Sequence, residues 1–183
     1  ILRMLPYSQQ KNPRALIVVP TRELVLQVVD EIRKVSPYMN IRFDGVYGGT
    51  NINTQKTIVS EGLDILVATP GRLMDLVYHG VLSLKSIQKL VIDEVDELLN
   101  QGFRPQLMNL LDALPDKRQN LMFSATLTGD VETVIDTFFN NPLKIILNHH
   151  GLPLEQIEQF AYEVPNFHTK LNLLRYLLNQ HNE

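Results

Sequence analysis

The sequence predicts an α/β protein built on a mainly parallel sheet flanked by helices. Two observations carry this. Short apolar runs alternate with segments of helical periodicity along most of the chain, the pattern of successive βαβ units. One of those runs, Leu90-Val91-Ile92, also ends abruptly in Asp93-Glu94-Val95-Asp96, three carboxylates within four positions. Such an apolar run suits a strand buried on both faces of a parallel sheet. The carboxylates then fall at its C-terminal end, where open α/β sheets bind their ligands.

Taken in order, Ala15 to Val19 is the first strand, and Thr21 to Lys34 follows with helical spacing through Leu24, Val28 and Ile32. Phe43 to Tyr47 is the second strand, followed by the turn Gly48-Gly49. Thr54 to Ser60 is helical, with Gly62 as its stop signal. Ile65 to Ala68 is the third strand, and Pro70 to Tyr78 a helix ending near Gly80. Leu90 to Ile92 is the fourth strand. Arg104 to Leu114 is helical and stops at Pro115. Asn120 to Phe123 is a fifth strand, Val131 to Phe139 a helix and Leu143 to Leu147 a sixth strand.

The pattern changes after Leu147. Residues 148–156 hold two histidines, a glycine and a proline, and read as a linker. Ile157 to Val164 reads as a new strand and Phe167 to Gln180 as a helix with Leu171, Leu174 and Leu178 on one face. One strand and one helix cannot close a core. The expected organisation is therefore a first domain over 1–147, a linker over 148–156 and the opening βα unit of a second domain over 157–183.

Composition narrows the function classes. The 183 residues are 44% hydrophobic and 20% charged, as in a globular protein with a core. There is no cysteine, so neither a disulfide framework nor a thiolate metal site is available, which fits a reducing compartment. No apolar run approaches the roughly 18 residues of a membrane span. A net charge of −3 gives no global attraction for nucleic acid, so any such binding must use local patches or backbone amides. His149-His150, in the linker, is a poor metal site, because adjacent histidines rarely chelate one ion from a rigid element.

Adjacent Asp and Glu at a strand end can hold a divalent cation and polarise a water, which is what a nucleotide hydrolase needs. A plainer alternative has Asp93 capping the following helix, with Glu94 and Asp96 solvated in its first turn. Other strand ends bear on the choice. Pro20-Thr21-Arg22-Glu23-Leu24 follows the first strand, Gly48-Gly49 the second, Thr69-Pro70-Gly71-Arg72 the third and Ser124-Ala125-Thr126 the fifth. Thr21 and Thr69 stand where helices begin, and free amides at a helix N-terminus attract phosphate. Arg22 and Arg72 add charge, and Gly48 and Gly49 let a backbone come close to a ligand. Each segment also has an ordinary reading as a capped helix, a glycine turn or a strand end.

In this order these motifs resemble the first RecA-like domain of DEAD-box RNA helicases, over nearly the whole chain. The resemblance implies a RecA-like sheet of the P-loop NTPase type and an ATP-dependent RNA helicase using ATP and Mg²⁺. It implies that Asp93 is the magnesium-associated carboxylate and that Glu94 orients or deprotonates the attacking water. Asp96 would bond to Ser124 and Thr126 and link ATP state to domain closure. Pro20, Thr21, Arg22, Gly48, Gly49, Thr69, Pro70, Gly71 and Arg72 would contact the RNA sugar-phosphate backbone without reading sequence. A second RecA-like domain in cis would be the partner, and the cytoplasm, or the nucleus of a eukaryote, the location. The family's third letter is alanine. Here it is Val95, which removes no catalytic group and bears on packing alone.

One expected part is missing. A phosphate loop has the form G-x-x-x-x-G-K-[ST]. Lys56-Thr57 is the nearest approach, but Gly49 lies one position too far away and Gln55 stands where the second glycine belongs. The resemblance places the loop before Ile1, so the expectation is a truncated, by itself inactive fragment. Two rivals stand beside it: a non-catalytic RNA-binding or protein-docking module, and a DNA helicase of a related superfamily.

Overall fold

A computed structural model of the chain describes residues 1–147, 158 and 160–180. These divide between two units, Ile1–Lys144 and Ile145–Glu183. After a single 3₁₀ turn at Leu2–Met4, the first unit runs β1 (Ala15–Val18), α1 (Arg22–Val35), β2 (Phe43–Val46), α2 (Ile52–Glu61), β3 (Ile65–Ala68) and α3 (Pro70–Tyr78). It continues with β4 (Lys89–Ile92), α4 (Val95–Asn100), α5 (Arg104–Ala113), β5 (Gln119–Met122) and α6 (Gly129–Phe138). The described part of the second unit holds one helix, α7 (Phe167–Gln180).

The five strands form one fully parallel sheet in the order β2-β3-β1-β4-β5. Side-chain alternation along the strands sorts the core into two layers. Leu16, Val18, Leu66, Ala68, Leu90 and Ile92 join α3, α4, α5 and α6 on one face. Ala15, Ile65 and Val67 meet Val25, Val29 and Ile32 of α1 on the other. The buried stripe of α1 is therefore Val25, Val29 and Ile32. Leu24 and Val28, two of the three positions that helical spacing picks out, lie half-buried at its margin.

The N-terminal ends of the strands are tied by a buried ionic cluster that carried no sequence signal. Asp64, 3% exposed, immediately precedes β3. Its Oδ1 accepts from Arg14 Nη2 at 2.8 Å and its Oδ2 from Arg42 Nε at 3.1 Å and Arg42 N–H at 3.0 Å. Arg14 precedes β1 and Arg42 precedes β2, so one carboxylate joins three strands. Burial pushes the Asp64 carboxyl up, but the hydrogen bonds from Arg42 and Arg14 outweigh it and hold it below the usual carboxylate range.

Two expected strands are not found. Leu143 to Leu147 is apolar but forms no strand, and β5 ends the hydrogen-bonded order on its side of the sheet. An apolar run becomes a strand only where a neighbour accepts and supplies its backbone hydrogen bonds. Of the run Ile157 to Val164, the described residues 158 and 160–164 are likewise not in a strand. The linker read over 148–156, with His149-His150, lies outside the described residues. Among the described residues, no helix is long and apolar enough to cross a membrane.

Candidate functional site

Because all five strands run parallel, their C-terminal ends share one edge, and each segment singled out above lies along it. In space the order is Gly48-Gly49 after β2, Thr69–Arg72 after β3, Pro20–Arg22 after β1, Asp93–Asp96 after β4 and Ser124–Thr126 after β5. The segment that comes first in the chain therefore sits at the centre, beside the carboxylates.

The junction between β4 and α4 is gripped from both sides. Asp93 N–H donates to the Val18 carbonyl at 3.0 Å, Phe123 N–H to the Ile92 carbonyl at 2.9 Å, and Val95 N–H to the Phe123 carbonyl at 3.1 Å. Asp93 Oδ1 accepts from Glu94 N–H at 3.0 Å. Its Oδ2 takes no hydrogen bond among the described residues. The chain then turns through Glu94 in the left-handed region, at φ 51° and ψ 49°. Holding a non-glycine residue there costs about 1–2 kcal/mol and is characteristic of functional turns. Helix α4 begins at Val95 with no side-chain cap, so Asp93 does not cap it. Glu94 points its exposed carboxylate away from the core. Val95 is 0% exposed and packs among Leu98, Leu107 and the strand residues, so its extra bulk is spent on the core.

Asp96 ties β4's junction to the end of β5. Its Oδ2 accepts from the Thr126 hydroxyl at 2.7 Å and from Thr126 N–H at 3.0 Å, and Ser124 Oγ donates to the Thr126 carbonyl at 2.6 Å. Burial pushes the Asp96 carboxyl up, and the hydrogen bonds from Thr126 overcome this and hold it below the usual range. Neither Ser124 nor Thr126 caps α6. Thr128 does, accepting from Val131 N–H at 3.4 Å.

On the other half of the edge, Thr21 caps α1 through Oγ1, which accepts from Leu24 N–H at 3.3 Å. Pro20 is buried, and Arg22 lies over the Tyr47 ring, 5.1 Å from its centroid, in a cation–π contact. Thr69 is buried at the start of α3, with Pro70 as its first residue, and donates its N–H to the Val46 carbonyl at 3.1 Å. The space where a side chain would stand is open at Gly48, Gly49 and Gly71, and Gly49 takes φ +77°, which favours glycine. Arg72 behaves differently from Arg22. Its side chain is 10% exposed, and its guanidinium donates to Gln55 Oε1 at 2.8 Å and to the Thr50 carbonyl at 2.9 Å.

Tyr47, Thr50 and Gln55 were not legible as site residues. The one signal is that Gln55 sits four positions before Val59, on the buried face of α2. Lys56 and Thr57 lie inside that helix, where Thr57 Oγ1 donates to the Asn53 carbonyl at 3.2 Å, so they form no phosphate loop. Among the described residues, no three His, Cys, Asp or Glu side chains converge to hold a metal alone. The free oxygen of Asp93 nevertheless suits magnesium, which takes one or two carboxylates and completes its shell with water and phosphate.

Residues 1–134 match the family model described as DEAD/DEAH box helicase. The chain is 34% identical over 167 residues to the ATP-dependent RNA helicase eIF4A of Debaryomyces hansenii, covering 91% of this chain and 42% of that protein. It is 40% identical over 141 residues to the mitochondrial DEAD-box ATP-dependent RNA helicase 9 of Arabidopsis thaliana, covering 77% of this chain and 23% of that one. Among solved structures, the yeast DEAD-box splicing factor Prp28 superposes with a TM-score of 0.67 at 36% identity, over 70% of this chain and 31% of its own. A hypothetical ATP-dependent RNA helicase from Sulfolobus tokodaii gives 0.66 at 38% identity, over 70% and 38%. The chain thus spans less than half the length of these relatives.

Proposed function

This chain belongs to the DEAD/DEAH box helicase family and carries its RecA-like fold, and on that footing we propose that it supplies the nucleotide-hydrolysing and RNA-holding edge of an ATP-dependent RNA helicase. The observation that carries the reading is the division of one sheet edge: helix starts and open glycines at β2, β3 and β1, carboxylates at β4, and the Asp96–Thr126 bond joining these to β5.

Phosphoryl transfer to water asks the protein for positioning and charge stabilisation more than for covalent chemistry. Asp93, with one oxygen fixed by Glu94 N–H and the other free, would hold a magnesium ion. When bound, that ion would neutralise charge on the nucleotide phosphates. The left-handed turn lifts the Glu94 carboxylate clear of the core, where it can take a proton from the attacking water. Asp96 locks the carboxylate turn to Ser124–Thr126, so a displacement at either place is felt at the other. That lock is the route by which nucleotide state would reach a second RecA-like domain in cis.

The N-termini of α1 and α3, Gly48-Gly49 and Arg22 would hold a few phosphates of one RNA strand, which positions it without reading sequence. The choice of RNA over DNA rests on the names of the relatives. A chimera tests the whole reading: this chain replaces its matched part of the Debaryomyces hansenii helicase. RNA-stimulated ATPase activity is expected. Glu94→Gln should lower it by about 10² to 10⁴ while ATP still binds. Undiminished turnover in that variant would remove Glu94 from the role, and stimulation by single-stranded DNA above RNA would overturn the substrate class.

A further inference from the structure

We propose that Gln55 is a positioning residue that holds the Gly48-Gly49 loop, and with it the three candidate RNA-contacting segments, in a preformed arrangement. The inference rests on the RNA reading of this edge and goes one step inside it.

Gln55 is 5% exposed on α2, and its side-chain amide is fully used. Nε2 donates to the Tyr47 carbonyl at 3.1 Å and to Thr50 Oγ1 at 2.8 Å, and Oε1 accepts from Arg72 Nη1 at 2.8 Å. Tyr47 and Thr50 are the two residues that flank Gly48 and Gly49. Arg72, on α3, closes the loop's far side by donating to the Thr50 carbonyl at 2.9 Å. The Tyr47 ring in turn carries Arg22 of α1. One amide thus joins the segments after β2 and β3 directly, and reaches the segment after β1 only by way of Tyr47.

The physical need for such a joint is plain. Two successive glycines, with nothing within 4 Å of where their side chains would stand, have no packing of their own to choose a conformation. Glycine has the most backbone freedom to lose, so a loose loop would bear that cost when a ligand bound. Ties at both flanks meet it during folding, which is how preorganisation raises affinity. A buried amide is costly unless all its groups are paired. Here each bond goes to the loop or to the arginine that clamps it. Gln55 itself is enclosed and reaches no phosphate.

The test uses the chain as it stands, a fluorescent ten-nucleotide oligouridylate, and salt from 50 to 200 mM. Amide hydrogen exchange is followed alongside. Gln55→Met keeps length and removes the polar ties. Expected are faster exchange confined to residues 47–50, affinity about tenfold weaker, and an unchanged salt slope, because no phosphate contact is lost. Thr50→Val, a near-isosteric change at a half-buried position, removes one of the three Gln55 ties together with the hydroxyl's own longer bond to the Tyr47 carbonyl, and should shift both readings the same way by less. It decides the matter by the same criteria if Gln55→Met also exposes the amides of β1. Wild-type affinity in a loosened loop would overturn the proposal. So would a slope shallower by about 0.7, the mark of one lost phosphate contact on a single strand. If the unaltered chain shows no salt-dependent RNA binding, the RNA reading of the edge fails and takes this proposal with it.

Discussion

The two ends of the same five strands are built on opposite principles. At the N-terminal ends, Asp64 meets a buried Arg14 and a half-buried Arg42, and every oxygen of its carboxylate is spent on the protein. At the C-terminal ends, Asp93 keeps an oxygen free, Glu94 is exposed in a strained turn, and glycines leave space open. Both ends carry carboxylates at strand boundaries: Asp64 precedes β3, and Asp93 follows β4. The difference is what the side chains have left to offer: the closed end holds strands in register, and the open end keeps hydrogen-bonding capacity for something else. Arg72 and Gln55 show that the open end still needs scaffolding, supplied from just behind the exposed surface.

The largest expected effect lies at the closed end. Asp64→Ala strands the buried guanidinium of Arg14 and should cost about 3–5 kcal/mol in urea unfolding. A loss below 1 kcal/mol would mean that the cluster is ornamental and the contrast false. Next comes pH. The carboxyls of Asp64 and Asp96 are held below their unfolded values, so the unfolded chain binds more protons as pH falls. Their contribution is present in full above the unfolded value, near pH 4, and is lost as pH falls through the folded values. The urea midpoint should therefore drop steeply below about pH 4, and Asp64→Asn should flatten that drop.

At the open end the effects are smaller. Thr126→Val removes the hydroxyl from Asp96 but leaves the Thr126 N–H bond in place, and should cost about 1 kcal/mol. A cost matching that of Asp64→Ala would place the Asp96 lock among the structural ties. Glu94→Gly relieves the left-handed backbone and should raise stability by about 1 kcal/mol, where a drop would show that the turn is not strained. Stability gained by removing a candidate functional side chain is the expected mark of an edge built for activity.

Much of this was legible because it is local. Four-residue apolar runs such as Ile65–Ala68 announce buried parallel strands, and the acids after Ile92 announce a ligand-facing strand end. Arg14, Asp64 and Arg42 were not legible, because charged residues in turns look solvated and their pairing spans 50 and 22 positions. The left-handed turn at Glu94 gave no warning either, since that conformation is advertised by glycine or asparagine. Leu143–Leu147 misled for the converse reason: apolar content is a property of a segment, but a strand is a property of a pair.

Residue order was enough to establish the alternation of strands and helices, the family of the chain and the set of residues at the strand ends, because each depends on side chains within a few positions of one another. The spatial order β2-β3-β1-β4-β5, the commitment of Arg72 and Gln55 to the glycine loop and the burial of Val95 came from packing. Which strand lies beside which, and whether a polar side chain faces water or protein, are settled by contacts between segments that the chain itself keeps far apart.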